Sequence, residues 1–260
     1  MNIFVFIKRV PDTESRIRID HDAGKIAEDD LNFIISPYDE YAVEEALRLK
    51  EASGGSVTVF SVGPDEAQVV LKKALAMGAD EAVLIKDDLP ESYDGSRAAR
   101  IIAAALRSRW TEYDLLLFGK QSFGADNAQV PGMVAGMLDL PQVNVVTRLE
   151  IEGAAGTAYR EIEGALEKVS FSLPAVLSAQ KGLNDPRYET LKGIMMAKRK
   201  SIPVVTPEEL GLTEDDLQPR LALTALAPPP ARQAGQVVEG EPADTAKRLA
   251  RFLHEDAKVI

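Results

Sequence analysis

The segment GKQSFGADNAQVPGM, residues 119–133, gathers the residue types best suited to holding a polar ligand. Gly119 and Gly124 permit close backbone approach. Lys120, Gln121, Ser122, Asn127 and Gln129 carry hydrogen-bond donors, and Asp126 suits either a helix cap or an acceptor for a sugar hydroxyl. The segment follows the apolar run DLLLF and leads into the helical pattern of VAGML. In open α/β sheets, ligands bind beyond the carboxyl ends of the strands, where helix N-termini offer free N–H groups to an anion. Two readings stay open on these residues alone. One is a cradle for a phosphate or nucleotide, the other an ordinary strand-to-helix loop with a capped helix. Neither a Walker loop nor G-x-G-x-x-G is present.

Other chemistry is thinly supported. The chain contains no cysteine, which excludes disulfides, thiolate-bound metals and thiol catalysis. His21 and His254 are isolated, without metal-ligand spacing, so no metal site is expected. Glu161, Glu163 and Glu167 alternate along strand-like sequence and read as a solvated face. Lys198, Arg199 and Lys200 read as a helix end or a partner contact. Tyr188, Leu191, Ile194 and Met195 bracket a turn that is either a small satellite core or a recognition loop.

The elements that must position these residues follow a repeating pattern. NIFVFI, SVTVFSVG, EAVLIK and YDLLLFG read as buried strands. Between them lie amphipathic stretches: SPYDEYAVEEALRLKEA, with Ser36 and Asp39 as capping candidates and Pro37 at its start; PDEAQVVLKKALAM; SRAARIIAAALRS; and NAQVPGMVAGML. This alternation predicts a parallel α/β sheet. From residue 141 the period shortens to two, with Val143, Val145, Leu149 and Ile151 on one face, and predicts antiparallel strands at one edge. From about residue 205 the sequence reads as an extended arm: a Pro-rich linker, APPPARQAGQVVEGEPAD, then the amphipathic TAKRLARFLHE. With 260 residues, 45% hydrophobic, the chain has material for a substantial core. A net charge of −11 argues against nucleic-acid or anionic-membrane binding as the main role. No apolar run reaches the ~20 residues of a membrane span. A cytoplasmic protein without membrane insertion is the expectation.

Several segments together resemble the β subunit of electron transfer flavoproteins. SPYDEYAVEEALRLKE is similar to that family's NPxxxxAVEEAxRLKE helix, and GKQSFGADNAQVPGM to its GKQxxxxDxxQ loop. LPAVLSAQKGLNDPRYETLKGIMMAKRK is similar to the signature ending NxPRYxxLxxIMxAKxK. VFIKRVPDT, ALAMGADEAVLI and PPPARQAG have counterparts in the same order, so the resemblance spans nearly the whole chain.

The resemblance implies a Rossmann-like, doubly wound, mainly parallel sheet with antiparallel edge strands and an extended C-terminal arm. Residues 1–205 would form the nucleotide-binding domain, with a partner-recognition loop at 184–200. Residues 206–260 would form the linker and a C-terminal helix docking on an α subunit. It implies an electron carrier without catalytic residues. The redox-active FAD is shared with, and held mainly by, the α subunit. AMP is implied in this chain, or a second FAD in the electron-bifurcating type.

By position, the nucleotide wall would comprise Phe6, Ser36, Pro37, Tyr38, Asp39 and Val62. The loop residues Gly119, Lys120, Gln121, Ser122, Phe123, Gly124, Ala125, Asp126, Asn127, Ala128, Gln129 and Val130 would complete it. Tyr188, Leu191, Ile194 and Met195 would meet the partner, with Leu191 as anchor. Thr13 would approach the α-bound flavin. The implied partners are acyl-CoA or other flavin dehydrogenases and a membrane quinone reductase, the electron transfer flavoprotein–quinone oxidoreductase. Ser36 stands where the family has asparagine. DNAQV resembles the DTAQV of the second-FAD type, although GP follows it there and PG here. AMP, the more widespread case, is the expectation. The competing classes are an adenine-nucleotide-binding α/β enzyme or stress-type protein, and a scaffold. An enzyme acting on phosphates should show a magnesium-binding carboxylate set and a lysine in a Gly-rich turn, and neither is evident.

Overall fold

NIFVF at the N-terminus is apolar without alternation, as befits a strand covered on both faces. In the computed structural model, which describes residues 1–22, 24–88, 94–230 and 234–260, it forms β1 (Asn2–Phe6), buried from its second residue onward. Four short strands follow: β2 (Arg9–Pro11), β3 (Ile19–Asp20), β4 (Lys25–Ile26) and β5 (Phe33–Ile35). The alternating core then runs α1 (Pro37–Ser53), β6 (Ser56–Gly63), α2 (Gln68–Met77), β7 (Glu81–Lys86), α3 (Gly95–Ser108), β8 (Leu115–Gly119) and α4 (Val130–Leu138). A strand series follows: β9 (Gln142–Glu152), β10 (Ala155–Ile162), β11 (Ala165–Ser172) and β12 (Ala175–Ala179). After it come α5 (Leu191–Ala197), β13 (Val204–Val205), α6 (Glu214–Leu217) and α7 (Pro242–Arg251).

The main sheet has the order β11-β10-β9-β12-β8-β1-β6-β7-β13. Pairing is parallel from β13 through β7, β6, β1, β8 and β12 to β9, and antiparallel only between β9, β10 and β11. The expected doubly wound, mainly parallel sheet with an antiparallel edge is therefore present. One apolar core, with Leu47, Leu71 and Ala74, lies under α1, α2 and α5. The other, with Ile101, Ile102 and Val134, lies under α3 and α4. From β1 the chain winds to β6 and β7 on one side, then returns to lay β8 on the other. The carboxyl ends of β1 and β8 thus flank a topological switch point, the place where such sheets open a crevice.

Two details depart from the sequence reading. The first half of β9 pairs parallel with β12, inside the sheet, and only its later residues belong to the antiparallel meander. Val145 adopts a left-handed φ of 58° at a bulge, which moves Val146 instead of Val145 into the core. The Ser178 hydroxyl accepts the displaced Val145 N–H at 3.0 Å.

The chain divides into two compact units, Met1–Leu226 and Ala227–Ile260. Residues 206–226, grouped with the arm on sequence grounds, pack onto the first unit through buried Leu210 and Leu217. These isolated leucines in a polar stretch give no periodic signal. In the second unit α7 has no buried residue, and Leu249 and Phe252 are exposed. Residues 231–233 of the expected linker lie outside the described residues. Among the described residues no helix is long and apolar enough to cross a membrane, and no cluster of acidic or histidine side chains could hold a metal.

Candidate functional site

The crevice opens at the carboxyl ends of β1, β6 and β8. It is a partly open cavity of about 160 Å³. Its floor is aromatic. Phe6 stacks on Phe118 with ring centroids 4.6 Å apart and on Phe60 at 5.2 Å. These rings project from adjacent parallel strands, where Phe6 stands in register with both Phe60 and Phe118. Val62, Ile102 and Ala98 extend the apolar surface towards α3, and the 119–130 loop supplies the polar wall.

The loop is built for close approach. A Cβ on Gly119 would overlap the Asp39 carboxylate and lie 2.7 Å from the Asp39 nitrogen, so only glycine fits where β8 meets the start of α1. Past Gly124 (φ 92°), Asp126 and Ala128 both take left-handed conformations, with φ 50°. For residues with a Cβ this conformation is costly, about 1–2 kcal/mol each, and concentrates at functional sites. Ala128 is followed by Gln129 in the right-handed region (φ −99°, ψ −39°). Alternation of hand turns successive N–H groups to one side, forming a concave anion seat. In the first turn of α4, which starts at Val130, the Val130 and Gly132 N–H groups have no intrahelical acceptor, and Pro131 between them carries no N–H. Gln121 donates its amide to Asp126 at 2.7 Å, and Lys120 lies over the Tyr38 ring at 5.0 Å.

Asp39 ties the site together. One carboxylate oxygen accepts the Gly119 N–H at 3.0 Å, and the other accepts the Lys8 N–H at 2.7 Å. It therefore joins the ends of β8 and β1 across the switch point. Burial pushes its carboxyl up to about 7, against the pull of both N–H donors and the Lys8 charge. Ser36, fully buried, accepts the Phe123 N–H at 3.2 Å. Neither Ser36 nor Asp39 caps α1 by its side chain, and Asp126 does not cap α4, so these capping expectations are corrected. Their oxygens are committed to chain segments 31 to 87 residues away, or to Gln121.

Of the residues expected on the nucleotide wall, Phe6, Asp39, Val62, Gly119, Lys120, Gln121, Ser122, Ala125, Asn127, Ala128, Gln129 and Val130 line one cavity. Ser36, Pro37, Tyr38, Phe123, Gly124 and Asp126 do not line it, although Ser36, Tyr38 and Asp126 contact loop residues. The cavity also includes Ile7, Lys8, Phe60, Asp94 and Arg97, which sequence reasoning did not single out. Phe60 was findable as the register neighbour of Phe6. Arg97 was not, because its side chain is held by Asp87 (2.8 Å) and by the Leu217 carbonyl from a distant segment.

A second feature surrounds α5. Tyr188, Leu191 and Met195 are 94%, 84% and 63% exposed, whereas Ile194 packs onto the core. Arg187 anchors the approach to α5 on α1, pairing with Glu44 at 2.8 Å and Glu51 at 2.5 Å. Asn184 donates to Glu45 and to the Tyr41 carbonyl. Thr190 caps α5 through the Gly193 N–H at 3.0 Å. The segment around α5 is therefore an apolar projection on a fastened base. His21 and His254 are both solvent-facing.

Comparison with known proteins agrees with this geometry. Residues 23–210 match the electron transfer flavoprotein domain. The chain is 43% identical over 262 residues to the electron transfer flavoprotein subunit beta of Bacillus subtilis (strain 168), covering 100% of both chains. It is 38% identical over 262 residues to the human subunit beta, covering 100% of this chain and 99% of the relative. It is 37% identical over 258 residues to the subunit beta of Thermoanaerobacterium thermosaccharolyticum, covering 98% of each. A doubly wound sheet with a cradle at its switch point and identity of this extent have one common reading: the chain belongs to the β-subunit family of electron transfer flavoproteins.

Proposed function

We propose that this chain is the β subunit of a heterodimeric electron carrier and that its crevice holds the nucleotide part of an adenine cofactor. The observation that carries the reading is the convergence of the 119–130 loop and the ends of β1 and β8 on one cavity. Its composition fits the group. The Phe6, Phe60 and Phe118 floor offers an apolar slab for a base, and the turn at Ala128 and Gln129 offers N–H groups to a phosphate. Lys8 and Lys120 on the same wall supply positive charge in an otherwise acidic chain.

In this reading AMP occupies the crevice as a structural ligand. The redox-active FAD, which stores one or two electrons, is held mainly by the α subunit. This chain's residues perform no bond chemistry. The aromatic floor excludes water from the base. Gly119 lets the start of α1 close on the end of β8 and so holds Asp39 at the crevice. Asp39 and Ser36 fix the loop that faces the phosphate. Tyr188, Leu191 and Met195 form the foothold for acyl-CoA or other flavin dehydrogenases that deliver electrons, with electron transfer flavoprotein–quinone oxidoreductase as acceptor. A few exposed apolar anchors suit a transient complex, because they supply most of the binding energy without a large interface. The Ala227–Ile260 unit, with its exposed amphipathic helix, serves to dock on the α subunit.

The test is to co-express the chain with its α subunit, denature the purified complex, and quantify released flavin and AMP. One FAD and one AMP per heterodimer supports the reading. Two FAD and no AMP would place a second flavin in the crevice, with electron bifurcation as the function. Absence of any nucleotide would overturn it.

A further inference from the structure

We propose that the groove between α2 and α5 is a second docking site for the electron-donating partner and that it receives an acidic surface segment with an apolar tip. The proposal rests on the carrier reading above, but on different residues from the exposed anchors of α5. The groove encloses about 300 Å³. Phe33 and Ile34 of β5, Val69 and Val70 of α2, and Ile194 of α5 form its apolar lining. Val69 is 55% exposed although it belongs to a helix that packs its other apolar residues inward.

The rim decides what would fit. Lys72, Lys73 and Lys198 border the groove, against a single carboxylate, Glu189. Lys73 is paired with Glu40 at 2.7 Å, while Lys72 and Lys198 are exposed and form no ion pair among the described residues. The Arg9 guanidinium lies 3.2 Å from the Phe33 ring centroid and adds a further cation, itself paired with Glu28. In a chain of net charge −11, a face on which two free lysines flank an apolar groove selects a complementary acidic surface and speeds its encounter. A second copy of this chain docked through a two-fold axis would bring two lysine-bordered faces together, which disfavours self-association here.

The groove wall is also closely packed. A Cβ on Gly193 would overlap the Ala76 carbonyl oxygen, so α5 sits directly against the end of α2. Leu191 stands three and seven residues before the groove-lining Ile194 and Lys198, so the groove and the Leu191 projection adjoin along one helix at a fixed spacing. A partner would be held at two points, which constrains its orientation without demanding a large interface.

The experiment uses the complete complex with the α subunit. The probe is an acyl-CoA dehydrogenase supplied with its acyl-CoA, with flavin reduction followed across ionic strength. The variants are Lys72→Glu combined with Lys198→Glu, Val69→Ser, and Leu191→Ala. The double reversal should lower kcat/KM at least tenfold at low salt and flatten or invert its salt dependence. Val69→Ser should lower it severalfold with the salt dependence retained. Reduction of the flavin by dithionite and the nucleotide content should match the parent in both. An unchanged or raised kcat/KM in the double reversal, with Leu191→Ala still impaired, would overturn the groove and leave the carrier reading standing. Self-association of the parent complex that the double reversal abolishes would likewise overturn it. A flavin-loaded parent complex that the dehydrogenase does not reduce would overturn the dehydrogenase-fed carrier reading, and the groove with it.

Discussion

Gly119 ends β8 with the backbone of α1 pressed against its Cα, and Asp39 accepts its N–H across that contact. Gly119→Ala should therefore destabilise the chain by about 1–3 kcal/mol through overpacking. It should also lower nucleotide occupancy, which denaturant titration and nucleotide quantification on the same sample would show. Asp39 links pH to stability. Its folded value near 7 exceeds the ordinary 3.8, so the folded chain keeps a proton that the unfolded chain releases. Stability contributed at this site is greatest below pH 4, falls as pH rises through the window from about 4 to about 7, and is flat above it. Asp39→Asn removes the titration. The stability of the parent minus that of the variant should fall by a few kcal/mol between pH 5 and pH 8 in urea unfolding. A difference independent of pH would show that the carboxyl titrates normally. The glycines and donors of the loop were legible in the sequence because their chemistry is local. The role of Asp39 was not, since its two partners lie 31 and 80 residues away and only the sheet brings them together.

At the scale of elements, α5 depends on two fastenings. Gly193 sets its contact with α2, and Arg187 ties its approach to α1. Gly193→Ala should lift α5 and lower dehydrogenase-driven flavin reduction at least tenfold, while nucleotide content stays at the parent level. Reduction kinetics beside a nucleotide assay would check this. Arg187→Ala leaves Glu44, only 7% exposed, without its guanidinium. A loss of about 1–3 kcal/mol in global stability is expected, with faster proteolysis in the 184–190 segment. The strands and helices of the alternating core were readable from hydrophobic period alone, because buried parallel strands lack alternation and their helices show it. At β9 a bulge at Val145 exchanges faces, and a period-two pattern carries no sign of a bulge. Buried Glu44 and Glu45 on α1 were likewise invisible, since only Arg187 and Asn184, over 130 residues later, make their burial tolerable.

For the molecule as a whole, strand order explains why the site lies where it does. β1 holds the centre of the parallel part of the sheet, flanked by β6 and β8, so its carboxyl end faces the crevice. The class of sheet was readable because element order limits topology to a few solutions. The position of residues 206–226 was not, because two leucines hold a segment that is otherwise polar. The central place of β1 has a consequence for how the chain is made. NIFVF leaves the ribosome well before its hydrogen-bonding partners, which are residues 56–60 on one side and 115–118 on the other. While the intervening hundred residues are synthesised, one or both edges of an apolar, uncharged strand stand unpaired, the state that invites pairing between nascent chains. Holding that strand apart until residue 118 has emerged becomes a task for the cell's chaperones, and its difficulty grows with the number of chains translated side by side.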